Sequence, residues 1–496
     1  MSQKVIVMGA GFGGLATAAL LAKRGFEVHV IEQNSCSGGK AGQLFLYSKE
    51  NSSYKYRFDT GPSLFSLLPI WKNLYNQLGY NFEELNPLYE VDIGAKYFWS
   101  KDNFITTYPN FTDFAAELEI KTKDNRNKLR KFLLDTYNQW QLCSDLFLFS
   151  PFSWQLILKK QFWKSLVKIH QVKLFQKMFK SLEDYFSDDR TRQIFARMAT
   201  YNGSNPYQTS ALFNLISQIE YGSQKQYTPK NGIFDLAFQL TRICQELGVK
   251  FHYNCKLIDI EYSKNKIKKI QIKNQHNQLQ NIEANLFVSN IDYYHTNKII
   301  RKEEFKPPVT RQLSMSALIF YWGIKYNFLQ LVSHNLFCSQ DYKLEFDQIN
   351  EGLIPNDPTV YISISSLITK SDAPDGHQNW FVMVNLPAGI NLQHEQIQKL
   401  KATILSKIEA ILGVQNFQSF ITAEQILTPD QIELKTGSYL GSLYGLNSNS
   451  MLNAFYRPKS KDKNFTNLYY TGGSVHPGGG IPLAIQSGIL LNRIIK

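Results

Sequence analysis

The feature that most constrains this chain is a glycine-rich turn between a short apolar strand and a helix. Lys4–Met8 is apolar and rich in β-branched residues, which predicts a buried parallel strand. The turn after it reads G-x-G-x-x-G, and residues 15–24 then predict a helix whose alanines permit close packing. A second strand, Glu27–Ile31, ends directly before Glu32. Strand, turn, helix, strand and acid in this order predict a nucleotide-binding βαβ unit.

The residues of this motif have distinct mechanical roles. Gly9 permits the tight turn, Gly11 lets the backbone approach a pyrophosphate, and Gly14 permits close packing of the helix on the strand. The free N–H groups at the helix N-terminus favour that anion, and Glu32 can accept hydrogen bonds from a ribose hydroxyl. The cofactor contacts predicted from the motif are Gly9, Gly11, Phe12, Gly13, Gly14 and Glu32.

Two simpler interpretations of the start of the chain are weaker. A lone G-x-G-x-x-G is often only a turn, but here the flanking strands, the helix and the acid all stand at motif spacing. One lysine followed by an apolar run also resembles a signal peptide. The further glycines and the lack of a cleavage site of the A-x-A kind argue against that interpretation.

The loop after the second strand distinguishes the cofactor. Residues 32–40 (EQNSCSGGK) place a glycine pair and a basic residue after the acid. Here the chain resembles the superfamily of FAD-containing amine oxidases and phytoene desaturases, whose members carry an acid, a short loop and Gly-Gly-Arg. Lys40 stands where arginine is usual, so it supplies positive charge without a bidentate fork. The resemblance implies FAD, with contacts at Gln33, Gly39 and Lys40.

Three further segments follow the same superfamily pattern. Residues 58–64 (FDTGPSL) resemble its Asp-x-Gly-Pro segment, whose backbone lies beside the flavin ring, although a Gly-Pro turn alone is ordinary. We expect Asp59 to order this loop rather than to react. In relatives, the residue near Leu257 pairs its backbone with adenine, and Ser-Asn is common where residues 289–290 stand. The contacts implied by these segments are Gly61, Pro62, Ser63, Leu257 and Asn290.

The end of the chain carries the last motif. Residues 467–488 read as a strand, a glycine-rich loop and a helix, with Pro482 where a helix start needs no N–H donor. This helix N-terminus can face the flavin edge that becomes negative on reduction. The implied FAD contacts are Gly473, Ser474, Gly480, Ile481 and Pro482.

The last motif also narrows the family. Together with residues 444–446 and 455–458, it resembles bacterial carotenoid desaturases of the phytoene desaturase type. Phytoene desaturases usually read Gly-Thr-His-Pro-Gly-x-Gly-Ile-Pro, whereas residues 473–482 read GSVHPGGGIP. That sequence is more similar to the branch of 1-hydroxycarotenoid 3,4-desaturases. The match covers the nucleotide domain at both ends of the chain, and the middle agrees mainly in length and order.

The chemistry implied by the resemblance needs few protein groups. Conversion of CH2–CH2 to CH=CH removes a hydride and a proton; FAD accepts the hydride, and the protein holds the polyene and excludes water. His476 is a candidate proton acceptor, although ordering of the loop is the favoured role. No metal site is expected. The alternatives are a phytoene desaturase, a carotenoid cis–trans isomerase using reduced FAD, an escort protein for prenylated partners and an amine oxidase.

Composition restricts the partners and the compartment. The net charge is +13 and no nucleic-acid motif is visible, so anionic lipid is the favoured partner. The five cysteines are scattered without a C-x-x-C pair, which indicates neither zinc nor disulfides and favours a reducing cytoplasm. The aromatic content of 14% suits a large apolar ligand, but an AT-rich coding genome would also raise it.

One segment is typical of a membrane surface. Residues 146–158 carry no charge, and residues 159–180 alternate aromatic and apolar residues with lysines, as an interfacial helix does. A core helix with a solvated lysine face is the alternative. We expect a cytoplasmic protein bound peripherally to the cytoplasmic membrane.

The predicted fold is α/β and discontinuous in sequence. Residues 1–81, 224–300 and 431–496 form a Rossmann-like FAD-binding domain. Residues 82–223 form a helical region that binds substrate and associates with the membrane, and residues 301–430 form a mixed-sheet substrate domain.

Overall fold

The computed structural model describes residues 2–147, 173–222, 225–450 and 457–496. Its strands are β1 (Lys4–Met8), β2 (Glu27–Ile31), β3 (Gln43–Tyr47), β4 (Lys55–Asp59), β5 (Leu88–Val91), β6 (Ala95–Phe98), β7 (Phe104–Thr107), β8 (Gln226–Pro229), β9 (Lys250–His252), β10 (Lys256–Ser263), β11 (Lys266–Lys273), β12 (Leu279–Glu283), β13 (Leu286–Ser289), β14 (Ser316–Ile324), β15 (His334–Phe337), β16 (Val360–Ser363), β17 (Gln378–Leu386), β18 (Ile421–Leu427) and β19 (Leu468–Tyr470). Its α-helices are α1 (Phe12–Lys23), α2 (Leu68–Leu78), α3 (Phe82–Leu85), α4 (Phe111–Lys121), α5 (Arg126–Phe147), α6 (Met178–Leu182), α7 (Asp189–Ala196), α8 (Ser217–Tyr221), α9 (Ile233–Glu246), α10 (Tyr293–Arg301), α11 (Tyr342–Asn350), α12 (His394–Leu412), α13 (Pro429–Thr436) and α14 (Ile481–Ile494).

A five-stranded parallel sheet carries the predicted βαβ unit. Its order is β19-β13-β1-β2-β9, so strands from both ends of the chain lie side by side. β1 is apolar throughout because both of its faces are covered. Val5 and Val7 pack in the cluster that contains α1, α9 and α14, whereas Ile6 and Met8 pack against the isoleucines of β10 and β11. The predicted mixed α/β fold is confirmed.

A seven-stranded sheet forms the second core. Its order is β18-β14-β17-β16-β15-β6-β7, and β15 pairs with β6 in parallel while the other pairs are antiparallel. All nine residues of β14 are buried, because both faces of the sheet are covered there. One face of the sheet packs on α12, and the other packs on α4 to α7.

Residues 82–223 are not wholly helical, which corrects the prediction for that range. They contain β5, β6 and β7, and β6 joins β15, which lies more than 230 residues further along the chain. Four-residue strands carry almost no periodicity of their own, and their pairing depends on this distant partner. The boundaries predicted for the three domains stay predictions.

The segment predicted at the membrane surface falls largely outside the described residues, because residues 148–172 are not among them. Among the described helices, we find none with the length and apolarity needed to cross a bilayer. In the described remainder of the segment, Phe175 is 79% exposed, whereas Met178 is buried.

Candidate functional site

A cavity of about 1300 Å³ lies at the carboxyl edge of the parallel sheet. It is lined by residues at or just after the ends of β1, β2 and β13, and by the start of α14. This position agrees with the rule that ligands of open α/β sheets bind outside the carboxyl ends of the strands. The predicted residues that line it are Gly9, Gly11, Phe12, Gly13, Glu32, Gln33, Gly39, Lys40, Pro62, Leu257, Asn290, Gly473, Ser474, Gly480 and Ile481.

The glycines of the first motif keep the chain close to its neighbours. A Cβ at Gly13 would lie 2.8 Å from Gly472 Cα, and a Cβ at Gly14 would lie 2.2 Å from the carbonyl oxygen of Gly9. Gly14 does not line the cavity; its predicted role of close packing is the one that the structure shows. Gly11 caps α1 without a side-chain hydrogen bond, so the first N–H groups of α1 are left for a ligand.

Glu32 is buried at the end of β2. Its Oε2 accepts a hydrogen bond of 2.7 Å from the Ala10 N–H, and its Oε1 accepts bonds of 2.9 and 2.8 Å from the backbone and side-chain N–H groups of Asn34. Burial raises the pKa of Glu32, and these hydrogen bonds oppose the rise. Oε2, which accepts a single bond, keeps acceptor capacity for a hydroxyl in the cavity.

Lys40 brings a buried amine to the cavity. Its ammonium donates to the carbonyl oxygens of Leu443 and, at 3.4 Å, Ser442. Burial lowers the pKa of Lys40 to about 8, although the nearby Asp292 carboxylate acts in the opposite direction. The charge that a phosphate would meet is therefore present at neutral pH and titrates in the alkaline range.

The C-terminal loop completes the cavity. The side-chain oxygen of Ser474 accepts a 2.9 Å hydrogen bond from the Tyr293 N–H, which ties the loop to the start of α10. The Asn290 amide donates to the Thr471 carbonyl oxygen at 3.2 Å. Gly480 caps α14 without a side-chain hydrogen bond, so a second helix N-terminus opens on the same cavity.

These residues fit a flavin dinucleotide. Two uncapped helix N-termini and the Lys40 charge suit a pyrophosphate, and Glu32 suits a ribose. The Nδ1 atom of His295, which also lines the cavity, is buried without a partner among the described residues. A polar atom of this kind calls for a ligand. The contact of each predicted residue with FAD stays a prediction.

Two apolar cavities adjoin the nucleotide cavity. The first, of about 1480 Å³, lies under the seven-stranded sheet and shares seven lining residues with the nucleotide cavity: Lys40, Pro62, Thr436, Leu443, Tyr444, Gly480 and Ile481. The second, of about 1260 Å³, shares Ser66, Tyr201, Gly480 and Pro482 with the first. It extends to Trp140 and Cys143 of α5. The three cavities therefore adjoin one another in a series from the nucleotide site to α5.

Four predicted FAD or catalytic residues line the apolar cavities instead of the nucleotide cavity. Gly61 and Ser63 line the first, Pro482 lines both, and His476 lines the second. The hydroxyl of Ser63 bonds to the Tyr361 hydroxyl at 2.6 Å. His476 is 9% exposed, and its N–H donates to the Pro458 carbonyl oxygen at 3.0 Å. Any residue at this position could form this backbone bond, so the loop-ordering role and the catalytic role of the side chain both stay predictions.

Sequence reasoning missed several lining residues, among them Asp292, His295 and Tyr444. Asp292 and His295 follow Asn290 closely, so the Ser-Asn signal could have been extended to them. Tyr444 had been noted only as part of a family segment. Its place between two cavities depends on the packing of distant segments.

Comparison with known proteins supports a flavin site. The family model described as flavin-containing amine oxidoreductase matches residues 12–494. A 1-hydroxycarotenoid 3,4-desaturase of Flavobacterium sp. (strain P99-3) is 35% identical over 98% of this chain and 97% of its own length. A 4,4′-diapolycopen-4-al dehydrogenase of Metabacillus indicus is 27% identical over 99% of this chain and 96% of its own length.

Two further likenesses extend the comparison. A 4,4′-diapophytoene desaturase (4,4′-diaponeurosporene-forming) of Staphylococcus aureus (strain bovine RF122 / ET3-1) is 25% identical over 100% of this chain and 99% of its own. Among solved structures, an oxidoreductase from Methanosarcina mazei aligns with a TM-score of 0.59 at 14% identity, over 98% and 99% of the two chains. At that identity the likeness concerns the fold alone.

Proposed function

We propose that this chain is a 1-hydroxycarotenoid 3,4-desaturase. The premise is that it belongs to the flavin-containing amine oxidoreductases and, among them, to the bacterial carotenoid desaturases. The chain is a FAD-dependent oxidoreductase that acts on CH–CH bonds. The identity of the carotenoid is the proposed part. It is supported by the 35% identical relative and by the sequence of residues 473–482.

The observation that carries the proposal is the shared wall between the nucleotide cavity and the first apolar cavity. A polyene in the apolar cavity would meet the cofactor at this wall, between Pro62 and Ile481. FAD, when bound, accepts a hydride from the substrate. The chain holds the polyene by apolar contact along the face of the seven-stranded sheet, through Ile319, Phe381 and Met383, and excludes water there.

The test supplies the purified, FAD-loaded protein with phytoene and with a 1-hydroxycarotenoid separately. We expect a red-shifted product two hydrogens lighter than the hydroxylated substrate, read by absorption and mass. Coloured polyenes formed from phytoene would instead make the chain a phytoene desaturase. A product of unchanged mass would indicate an isomerase, and no product from either substrate would contradict a desaturase function.

We also propose that the protein lies at the cytoplasmic face of the membrane, held by residues 146–180. The support is the net charge of +13 and the run of aromatic residues and lysines in that segment. The second apolar cavity reaches α5, which leads directly into the segment. A lipid-soluble carotenoid could then pass from the bilayer to the flavin without crossing water.

A further inference from the structure

The position of the reacting bond limits where the substrate hydroxyl can bind. In a 1-hydroxycarotenoid the oxygen lies two carbons from C3, so bonds of about 1.5 Å place it within about 4 Å of the reacting carbon. A hydrogen-bond partner adds about 3 Å. The residue that recognises the hydroxyl therefore belongs near the shared wall of the two cavities.

Three polar side chains stand on that shared wall, and two of them are engaged. Lys40 donates to the carbonyl oxygens of Leu443 and Ser442. The Thr436 hydroxyl bonds to the Ile432 carbonyl oxygen at 2.6 Å. The hydroxyl of Tyr444 has no hydrogen-bond partner among the residues that the structure describes. Among the described residues of the shared wall, it is the one side-chain hydroxyl left to bind a ligand.

The ring of Tyr444 is held in place by two glycines. A Cβ at Gly479 would lie 2.6 Å from Tyr444 Cδ1, and a Cβ at Gly203 would lie 3.1 Å from its Cδ2. The first distance is below any real Cβ contact, so only glycine lets this ring lie beside the flavin loop. The phenol is therefore positioned before a substrate arrives, which limits the entropy lost on binding.

A buried cation lines the same cavity as this phenol. Arg197 lines the same cavity and donates to the Tyr97 hydroxyl at 3.2 Å, while its guanidinium lies 5.4 Å from the Tyr201 ring centre. No carboxylate lies within 4 Å of it among the described residues. Burial raises the pKa of Tyr444, and the Arg197 charge opposes that rise.

Two other polar groups of the cavity are already satisfied. The Tyr361 hydroxyl bonds to Ser63 at 2.6 Å and to His334 at 2.8 Å. Both carboxylate oxygens of Glu345 accept hydrogen bonds from Thr359. These groups can therefore lie against the apolar chain of a substrate without a hydrogen bond from the substrate.

We propose that the Tyr444 hydroxyl donates a hydrogen bond to the hydroxyl oxygen of the carotenoid and so selects hydroxylated substrates. This inference rests on the proposed function. A deoxy carotenoid would leave the phenol desolvated and unpaired, which an enzyme site rejects far more strongly than the loss of an apolar group.

The test compares Tyr444→Phe with the parent protein on a 1-hydroxycarotenoid and on its deoxy analogue. We expect kcat/KM for the hydroxylated substrate to fall at least tenfold, while that for the deoxy analogue stays level or rises. Tyr201→Phe is the matched control, because its hydroxyl is buried without a partner among the described residues and its ring lines the same cavity. The control should keep the parent's ratio between the two substrates.

Equal losses on both substrates, with FAD content and melting temperature unchanged, would assign Tyr444 a merely structural role and overturn the inference. If Tyr444→Phe does not fold, Tyr444→Leu provides the second arm and should lower the same ratio. An unchanged ratio in a folded Tyr444→Leu protein also counts against the inference. A parent protein that converts phytoene but no hydroxylated carotenoid would overturn the proposed function itself. A parent protein that prefers the hydroxylated substrate, with a Tyr444→Phe variant of the same preference, would overturn only the role of Tyr444.

Discussion

At the residue scale, Lys40 combines two properties that conflict. It is buried, which disfavours its charge, and it lines a cavity suited to an anionic cofactor, which needs that charge. The usual residue of the superfamily pattern at this position is arginine, which stays protonated at every accessible pH. We therefore expect the lysine to make cofactor binding dependent on pH.

We expect FAD affinity to fall as the pH rises through about 8. The pKa of Lys40 is lowered to about 8 in the free protein, so the ammonium is present below that pH and lost above it. An anionic cofactor favours the charged form of Lys40. Above pH 8 the binding of FAD is therefore coupled to the uptake of a proton by Lys40, and this coupling lowers the affinity by at most tenfold per pH unit. Flavin fluorescence titrations between pH 7 and 9.5 measure this slope.

Lys40→Arg is the matched variant for that titration, because it keeps the charge over the whole range. Its affinity should be flat between pH 7 and 9.5. A flat profile in the parent protein, or an equal slope in both proteins, would show that Lys40 does not carry the dependence.

At the scale of elements, residues 146–180, which we propose to bind the membrane, give a direct prediction. Replacing Phe149, Trp154 and Trp163 with serine should abolish flotation of the protein with anionic liposomes, because rings at the acyl boundary are lost. The parent protein should float less at high salt, since each lysine near an anionic surface contributes about 1 kcal/mol that salt screens. Flotation on a density gradient, with and without anionic lipid, measures both effects.

The control for flotation uses apolar residues exposed elsewhere. Ile120, Leu329 and Leu434 are 77%, 85% and 70% exposed, and their replacement with serine removes apolar surface outside the segment. These changes should leave flotation intact. Unaltered flotation of the ring-deleted variant, in a folded protein, would place the segment in the core instead.

The elements that the sequence predicted well are those with strong local signals. β1, α1 and β2 follow directly from a buried strand, a glycine turn and an alanine-rich helix, and their pairing has the expected parallel register. β6 and β7 could not be predicted in the same way, because their place in the seven-stranded sheet depends on β15. Long-range pairing leaves no local trace in a four-residue strand.

The functional site also contains residues that the sequence predicted and residues that it could not predict. The glycine motifs and Glu32 were predictable because their chemistry is written in residue type and spacing. Asp59 was expected to order its own loop, and the structure shows how: its carboxylate accepts hydrogen bonds from the Ile233 and Phe234 N–H groups at 2.9 and 3.0 Å. It thus caps α9, which lies far along the chain. Neither this partner nor the place of Tyr444 can be read from nearby residues.

At the scale of the whole molecule, the cofactor joins segments that are distant in sequence. Residues of the first βαβ unit, of the loop after β13 and of the C-terminal loop all line one cavity. A ligand bound there contacts all three segments and binds the folded state alone. The cofactor should therefore contribute strongly to the stability of the whole protein.

Removal of FAD should lower the melting temperature, and added FAD should restore it in proportion to the logarithm of its concentration. At a thousandfold excess over Kd the stabilisation is about 4 kcal/mol. Differential scanning calorimetry at several FAD concentrations measures it. The Glu32→Ala protein should show a smaller shift at each concentration, because a charge-assisted hydrogen bond of about 2 kcal/mol is lost. A melting temperature independent of FAD would contradict the site.

The strand order of the parallel sheet also determines when the protein can become a flavoprotein during its synthesis. β1 lies between β2 and β13, and β13 needs β19, which leaves the ribosome after every other strand. At bacterial elongation rates the wait between β1 and β19 is on the order of a minute. The sheet edge at β13 therefore stays open until β19 is made, and the C-terminal loop and the start of α14, which line the nucleotide cavity, are made after it.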